Sequence, residues 1–176
     1  CYEYSNRRLH LGSRKEGSAS AKASKKPRSY TDLILGDTHC PHQDNKVMRL
    51  VADFAKDLKP RKIIWNGDGI DSHHHGRFPI EPLDRRTFDK ERGVLWRWMD
   101  AFQPSCEEME YIGGNHEERL LRWLCDHREV FVPYGTAAED ALRMLHPERL
   151  LKLAERGIRW HPYKHGIKLG HLYVTH

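Results

Sequence analysis

The chain has 176 residues, of which 38% are apolar and 31% are charged, and its mean hydropathy is −0.81. These values predict one water-soluble domain with a modest core, and no apolar run approaches the roughly 20 residues that a membrane-spanning helix needs. The four cysteines form no CxxC pair, which argues against a disulfide scaffold and against structural zinc. Since the N-terminus shows no secretory signal, we expect a cytoplasmic protein with reduced thiols and no membrane partner.

The net charge of +5 is concentrated at one end of the chain. Residues 1–29 contain eight basic and two acidic residues, a net charge of +6, which leaves −1 for residues 30–176. The stretch Gly12 to Ser29 has almost no large apolar side chain, so it cannot bury enough surface to offset the entropy of ordering it. We therefore predict a flexible basic tail or linker over 1–29 and a folded domain over 30–176. Such a tail could attract nucleic acid, although its composition fits a linker or an appended sequence equally well.

The folded part begins with a strand and a helix. The apolar run Asp32–Leu35 predicts a buried strand. Apolar residues recur at helical spacing over Val47–Leu58, with Asp44 or Asn45 able to cap the start, and predict an amphipathic helix. The same patterns predict a second strand and a second helix: Lys62–Trp65, and Thr87 to about Ala101.

The second half of the domain continues this alternation. A third strand is predicted at Glu110–Ile112. Helical patterns of decreasing strength follow: Glu117–His127, Ala137–Met144 and Glu148–Ala154. The run Gly157–Tyr163, a turn at Gly166–Gly170 and the run Leu172–Val174 predict a β-hairpin. Alternating strands and helices without a repeat of fixed period predict a layered α/β domain.

Four of the predicted strands end with side chains that can bind metal ions. These residues are Asp37 and His39, then Asp68, then Asn115 and His116, and finally His176. In layered α/β folds the loops at the carboxyl ends of the strands gather at one edge of the sheet and form a crevice there. Carboxylate, imidazole and amide oxygen together suit Mn²⁺, Fe or Zn²⁺. Each motif by itself is more typical of a turn or of a surface histidine than of a metal site.

The order of the motifs is more specific than any one of them. The chain contains D-x-H at Asp37, G-D-x-x-D at Gly67, G-N-H-E at Gly114, and a strand ending in His176. This order resembles the calcineurin-like metallophosphoesterase superfamily, and the resemblance covers residues 32–176. It implies a four-layer α/β/β/α sandwich, in which two sheets are flanked by helices and a two-metal site lies at the strand ends.

The resemblance also implies a role for each of these side chains. The metal ligands would be Asp37 and His39 for the first ion, Asp68 for both ions, and Asn115 and His176 for the second ion. His116 would donate a proton to the leaving group, and Asp71 would orient its ring. We expect two divalent cations, with Mn²⁺ ahead of Fe, Zn²⁺ or Mg²⁺. Two such ions about 3.5–4 Å apart clamp phosphate oxygens and stabilise an in-line displacement.

The chain departs from the family pattern at its end. That pattern continues with a further G-H-x-H, which supplies one more ligand to each ion, whereas this sequence stops at His176. We therefore expect a C-terminal part of the domain to lie beyond this sequence and both metal sites to be incomplete.

The resemblance leaves the substrate open. The leading expectation is a hydrolase for a phosphoester substrate, of the phosphodiesterase or nuclease type, with nucleic acid attracted by the tail. A phosphomonoesterase acting on phosphoproteins or nucleotides is the first alternative. Its protein-phosphatase branch has an arginine directly after the second Asp of G-D-x-x-D, where this chain has Ser72. An inactive binding or scaffolding module is the second alternative.

Several other residues receive ordinary structural interpretations. We interpret His73–His75 as a solvated loop in preference to a substrate contact, and His42 as an exposed or satisfied histidine. Glu117 is expected to stabilise a helix N-terminus electrostatically, whereas Arg119 could face the site. Cys40 is expected to be a small buried residue. Three tryptophans are expected in the core or in helix packing: Trp96, Trp98 and Trp123.

Overall fold

A computed structural model describes residues 30–76 and 87–176, so the predicted tail over 1–29 lies outside the described residues. The strands are β1 Asp32–Leu35, β2 Lys62–Asn66, β3 Glu108–Ile112, β4 Arg159–His161, β5 Ile167–Leu169 and β6 Leu172–Val174. The α-helices are α1 Asn45–Leu58, α2 Phe88–Phe102, α3 Arg119–Asp126, α4 Thr136–Met144 and α5 Pro147–Leu150. Short 3₁₀ helices lie at His73–His75, Gln103–Ser105, Arg128–Val130, Val132–Tyr134 and Ala154–Arg156. None of the described helices is long and apolar enough to cross a membrane.

The strands β1 to β4 form one parallel sheet in the order β1-β2-β3-β4. The register pairs Ile63 with Leu33 on one side and with Met109 on the other. Because the strand order advances in one direction and such crossovers are right-handed, the connecting helices must lie on the same face of the sheet. All four strands therefore point their carboxyl ends toward one edge, and the opposite face stays open for another layer.

Each face of the sheet has its own apolar cluster. On the helical face Trp65 is fully buried and makes an edge-to-face contact with Phe102 of α2, with ring centroids 5.9 Å apart. On the other face Ile64 and Ile112 cluster with Ile167 and Val174 of the β5–β6 hairpin. The layers are thus helices, parallel sheet and antiparallel hairpin, which confirms the predicted α/β class.

The helix α1 begins and ends where the sequence predicts. Asp44 is its N-cap, and one carboxylate oxygen accepts hydrogen bonds from the N–H groups of Lys46 at 2.7 Å and Val47 at 3.3 Å. Lys59 ends the helix in the left-handed conformation with φ 47°, directly before Pro60.

The predicted hairpin is wrong in its first strand. Arg159–His161 pairs in parallel with β3 instead, and Trp160 stacks on Tyr111 with ring centroids 5.6 Å apart. The hairpin lies later in the chain, where β5 was interpreted as part of a turn, and Gly170 turns the chain between β5 and β6 with φ 59°. Residues 157–163 alternate between apolar and polar side chains, a pattern typical of antiparallel strands, so the sequence pattern favoured the wrong partner.

The three tryptophans that were expected in the core or in helix packing differ in their burial. Trp96 and Trp98 pack against the core on the helical face, as expected. The expectation is wrong for Trp123, which is 46% exposed and stacks on His127 one helical turn later, with ring centroids 4.4 Å apart. Cys40 is fully buried, as expected.

Candidate metal centre

The loops that follow β1 and β2 are hydrogen-bonded to each other along their backbones. The N–H of His39 donates to the carbonyl of Asp68 at 2.9 Å, and the N–H of Cys40 donates to Gly69 at 2.8 Å. From the second loop back to the first, the N–H of Asp71 donates to the carbonyl of Cys40 at 3.1 Å. The D-x-H and G-D-x-x-D motifs are therefore held side by side at the edge of the sheet.

Three of the predicted ligands have left-handed backbones. Asp37, His39 and Asp68 have φ angles of 52°, 44° and 47°. For residues other than glycine this conformation costs about 1–2 kcal/mol each, and it persists only where the surrounding structure imposes it. The cross-loop hydrogen bonds impose it here, and such strain is concentrated at functional sites in proteins.

The G-N-H-E loop after β3 packs directly on Asp68. The N–H of His116 donates to Asp68 Oδ1 at 2.9 Å. A Cβ on Gly114 would overlap both the carboxylate and the backbone nitrogen of Asp68, so only glycine allows this approach. Asn115 lies half-buried between these two contact residues, which places it beside Asp68.

The fourth predicted strand end is that of β6 in the hairpin, which is followed by His176. The side-chain amide of Asn66, at the end of β2, donates to the carbonyl of Thr175 at 3.3 Å. His176 then packs against Gly67, where a Cβ would overlap the imidazole ring and where φ is 72°. The last residue of the chain therefore lies at the carboxyl end of the parallel sheet, although it follows a different sheet.

These side chains converge on one side of the Asp68 carboxylate. Asp68 is 4% exposed, and its Oδ2 atom lies 3.8 Å from His39 Nε2 and 3.7 Å from His176 Nε2. Asp37 Oδ1 lies 3.4 Å from His176 Nε2 and 3.9 Å from His39 Nε2. One ligand atom each from Asp37, Asp68 and His176 falls within 4.8 Å of the others.

These separations suit a shared cation. Two atoms that bind one ion at about 2.1 Å, with an angle of about 90–109°, lie about 3.0–3.4 Å apart. The observed separations of 3.4–3.9 Å lie at the upper end of this range or a few tenths of an ångström above it. Small side-chain rotations would therefore allow these neighbouring side chains to share an ion, and carboxylate and imidazole donors fit Mn²⁺, Fe or Zn²⁺.

A second group of ligand atoms surrounds Asp71. Its Oδ1 atom lies 3.6 Å from His39 Nδ1 and 3.5 Å from His116 Nδ1, and the three residues offer ligand atoms within 4.8 Å of one another. Its Oδ2 atom lies 3.7 Å from both His42 Nε2 and His73 Nδ1. His42 is exposed, as expected, and His73 is half-buried, and both lie beside Asp71 at the edge of the site. Asp71 and His73 repeat the D-x-H spacing of the first motif, a signal that the sequence did contain.

The hydrogen bonds of His116 define which of its ring nitrogens carries the proton. Arg119 Nη2 lies 2.7 Å from Nε2, and because a guanidinium can only donate, Nε2 must accept. Nδ1 lies 2.6 Å from the backbone carbonyl of Asp71, so it donates to that oxygen. The ring is thus a neutral Nδ1–H tautomer, and burial lowers the pKa of His116, with Arg119 lowering it further. Asp71 orients the ring through its carbonyl oxygen, whereas its carboxylate lies farther away.

Glu117 has a different role from the one expected. It is 3% exposed and lies before the helix α3, which begins at Arg119. Its carboxylate accepts five hydrogen bonds at 2.7–3.3 Å, from the N–H groups of Asp68, Gly69, Ile70 and Gly114 and from the hydroxyl of Tyr111. Glu117 therefore joins the loop that follows β2 to the loop that follows β3, next to the predicted ligand Asp68.

A comparison with family models finds the model described as calcineurin-like phosphoesterase, matched over residues 33–170. The chain belongs to the calcineurin-like phosphoesterase family. Comparisons with curated proteins and with solved structures gave no match. The matched range includes every predicted site residue of the phosphoesterase domain except His176, which follows it. Membership confirms the predicted resemblance and implies a metal-dependent phosphoester hydrolase.

The clamp formed by Glu117 can be tested with the variant Glu117→Gln. An amide must direct an N–H₂ group at backbone donors that now meet a carboxylate oxygen, so two or more buried donors lose their acceptor. We expect the free energy of unfolding, measured by denaturant titration, to fall by about 2 kcal/mol or more. The affinity for Mn²⁺ should fall as well, because the loop that carries Asp68 loses hydrogen bonds that hold it in place.

The neighbouring variant Glu118→Gln is the matched control, because it makes the same chemical change at a half-buried residue outside this clamp. If both variants unfold at the same denaturant concentration and bind Mn²⁺ equally, Glu117 does not hold the loops.

Proposed function

We propose that this domain hydrolyses phosphoesters at a two-metal site, with phosphodiesterase or nuclease-type activity. The observation that carries the proposal is the convergence around Asp68 of side chains that follow β1, β2 and β6, with His116 of the loop after β3 beside them. Its Oδ1 atom is held by the N–H of His116, while Oδ2 faces the imidazoles of His39 and His176. A carboxylate arranged in this way has one oxygen fixed and the other directed toward shared ligands, which suits a bridging residue.

The proposed metal ligands follow the family pattern. Asp37 and His39 would hold the first ion, Asp68 both ions, and Asn115 and His176 the second ion. The structure places His176 Nε2 close to Asp37 as well, at 3.4 Å, so the two ligand sets share one cluster. We propose Mn²⁺ ahead of Fe, Zn²⁺ or Mg²⁺. When bound, two such ions clamp phosphoryl oxygens and stabilise the charge of an in-line displacement.

His116 is the proposed proton donor to the leaving-group oxygen. Its Nδ1–H is held by the carbonyl of Asp71, which fixes the ring plane. Its Nε2 atom is directed toward the ligand cluster, 3.6 Å from Asp68 Oδ2, but it accepts a hydrogen bond from Arg119. Proton donation from Nε2 therefore requires that Arg119 first release this nitrogen and that Nε2 then take up a proton from solvent, since it carries none in this arrangement.

The basic tail supports nucleic acid as the substrate class. Residues 1–29 carry a net charge of +6, while the remaining residues carry −1. A strongly cationic segment attracts a phosphate backbone through counterion release and without base recognition. Small phosphomonoesters would gain nothing from it.

Hydrolysis itself is the first test of this proposal. A complete version of this domain, which includes the G-H-x-H motif expected beyond His176, should cleave a chromogenic aryl phosphodiester when it is supplied with Mn²⁺. Removal of the metal with a chelator should abolish the activity until Mn²⁺ is restored. Full activity in chelator-treated protein shown to be metal-free would contradict the mechanism. Faster cleavage of the matching monoester would favour the phosphomonoesterase alternative.

Two variants separate the proposed ligand from the proposed acid. Asp68→Asn should lose bound metal and activity together, because it removes the shared charged ligand. His116→Ala should retain metal and slow turnover by about 10²- to 10⁴-fold, with less effect on esters whose leaving groups need little protonation. Metal analysis that finds His116→Ala empty and Asp68→Asn loaded would reverse the two assignments.

Deleting residues 1–29 tests the substrate class. The shortened chain should bind DNA or RNA more weakly and with a smaller salt dependence, since fewer counterions are released. Its rate on the small aryl ester should stay close to that of the intact chain, because the proposed ligands all lie beyond residue 29. Unchanged affinity and salt slope would show that the tail does not bind nucleic acid.

A further inference from the structure

Arg119 brings a positive charge into the centre of the candidate site. It is the first residue of α3 and is half-buried. Its Nη1 atom donates to the carbonyl of Asp71 at 2.7 Å, and its Nη2 atom donates to His116 Nε2 at the same distance. The guanidinium therefore lies between the G-D-x-x-D and G-N-H-E loops, in contact with the proposed proton donor.

The hydrogen-bonding capacity of this guanidinium is only partly used. An arginine has five N–H donors, and within the described residues two hydrogen bonds of Arg119 are present. Both acceptors are neutral, namely a peptide carbonyl and the unprotonated nitrogen of a neutral imidazole. An anionic oxygen is a stronger acceptor, since charge-assisted hydrogen bonds are roughly twice as strong as neutral ones. The fork of N–H groups also matches two oxygens of one phosphoryl group.

We propose that Arg119 binds a non-bridging oxygen of the substrate's phosphoryl group and releases His116 Nε2 when it does so. The inference rests on the proposed phosphoester chemistry and adds a substrate-binding residue to it. Substrate binding and exposure of the His116 nitrogen are then one event, because the Nη2 group that now donates to a neutral nitrogen turns to a stronger, anionic acceptor. Without a phosphoryl group in place, Nε2 stays covered.

The neighbouring arginine on the same helix is placed differently. Arg122 is exposed, donates to the backbone carbonyl of Asn115 at 3.0 Å, and lies over the ring of Tyr163 at 5.9 Å. It therefore contacts the outer side of the G-N-H-E loop, whereas Arg119 contacts His116 directly. The proposed role of Arg119 thus depends on the position of its guanidinium beside His116, and not on a general excess of basic residues on α3.

Equilibrium binding of inorganic phosphate to the Mn²⁺-loaded chain, measured by titration calorimetry, tests this assignment without requiring turnover. Arg119→Gln should weaken phosphate binding by about 10- to 100-fold, because one or two charge-assisted hydrogen bonds are lost. Arg119→Lys keeps the charge but loses the fork, so its affinity should lie between those of Arg119→Gln and the wild type. Arg49→Gln, which removes an exposed arginine from α1, is the matched control and should bind phosphate as the wild type does.

The Mn²⁺ content and the thermal unfolding of each variant are measured in parallel. Wild-type phosphate affinity in Arg119→Gln overturns the inference, and so does a loss of phosphate binding that only accompanies a loss of Mn²⁺, because Arg119 would then be structural. If Arg119→Gln does not fold, wild-type affinity in Arg119→Lys overturns it instead. A complete version of the domain that binds Mn²⁺ and phosphate but cleaves no ester would contradict the proposed function, while the affinity differences would still decide the role of Arg119.

Discussion

The buried carboxylate of Glu117 is the contact on which the arrangement of the site depends. Its five donors come from the loop after β2, the loop after β3 and the buried hydroxyl of Tyr111. Burial raises the pKa of Glu117, and the hydrogen bonds from Tyr111 and from the N–H of Gly114 oppose that rise. A carboxylate removed from water is tolerated only with this many partners, so the loops and the side chain stabilise each other. The left-handed conformation of Asp68 is held by the same set of hydrogen bonds.

The site concentrates acidic groups that a bound cation would stabilise. Asp37, Asp68 and Asp71 meet the same cluster of imidazoles, and Glu117 lies directly beneath Asp68. Among the described residues of this cluster, Arg119 is the permanently charged cation in contact with it, and its guanidinium meets neutral acceptors. Repulsion between carboxylates at such distances favours binding of a positive charge among them. The hydrogen bonds to Glu117 therefore hold the loop that carries Asp68, and a cation bound among the three aspartates would reduce their mutual repulsion.

The sequence was sufficient to predict side chains that meet at the site but not the residues that support them. Buried strands ending in D-x-H, G-D-x-x-D and G-N-H-E identify the site, because carboxyl ends of parallel strands meet at one edge. The role of Glu117 is not predictable from the sequence, since four of its five donors are backbone N–H groups, three of them in the loop after β2, and backbone groups leave no trace in the residue pattern. The predicted hairpin is misplaced because the alternating pattern of residues 157–163 favours an antiparallel strand, whereas the strand pairs in parallel. His42 and His73 approach Asp71 only after the two loops have joined, a contact that spacing alone does not specify.

The place of His176 in the site depends on the apolar clusters on both faces of the parallel sheet. Most of the proposed ligands follow β1, β2 and β3, whose common edge is set by the helical face and its core around Trp65. His176 instead follows β6, and the hairpin reaches that edge because Val174 and Ile167 pack on Ile64 and Ile112 across the opposite face. Packing on the second face therefore sets the distance between His176 and Asp68. A loss of volume at Ile64 or Ile112 would move this one ligand and leave the loops clamped by Glu117 in place.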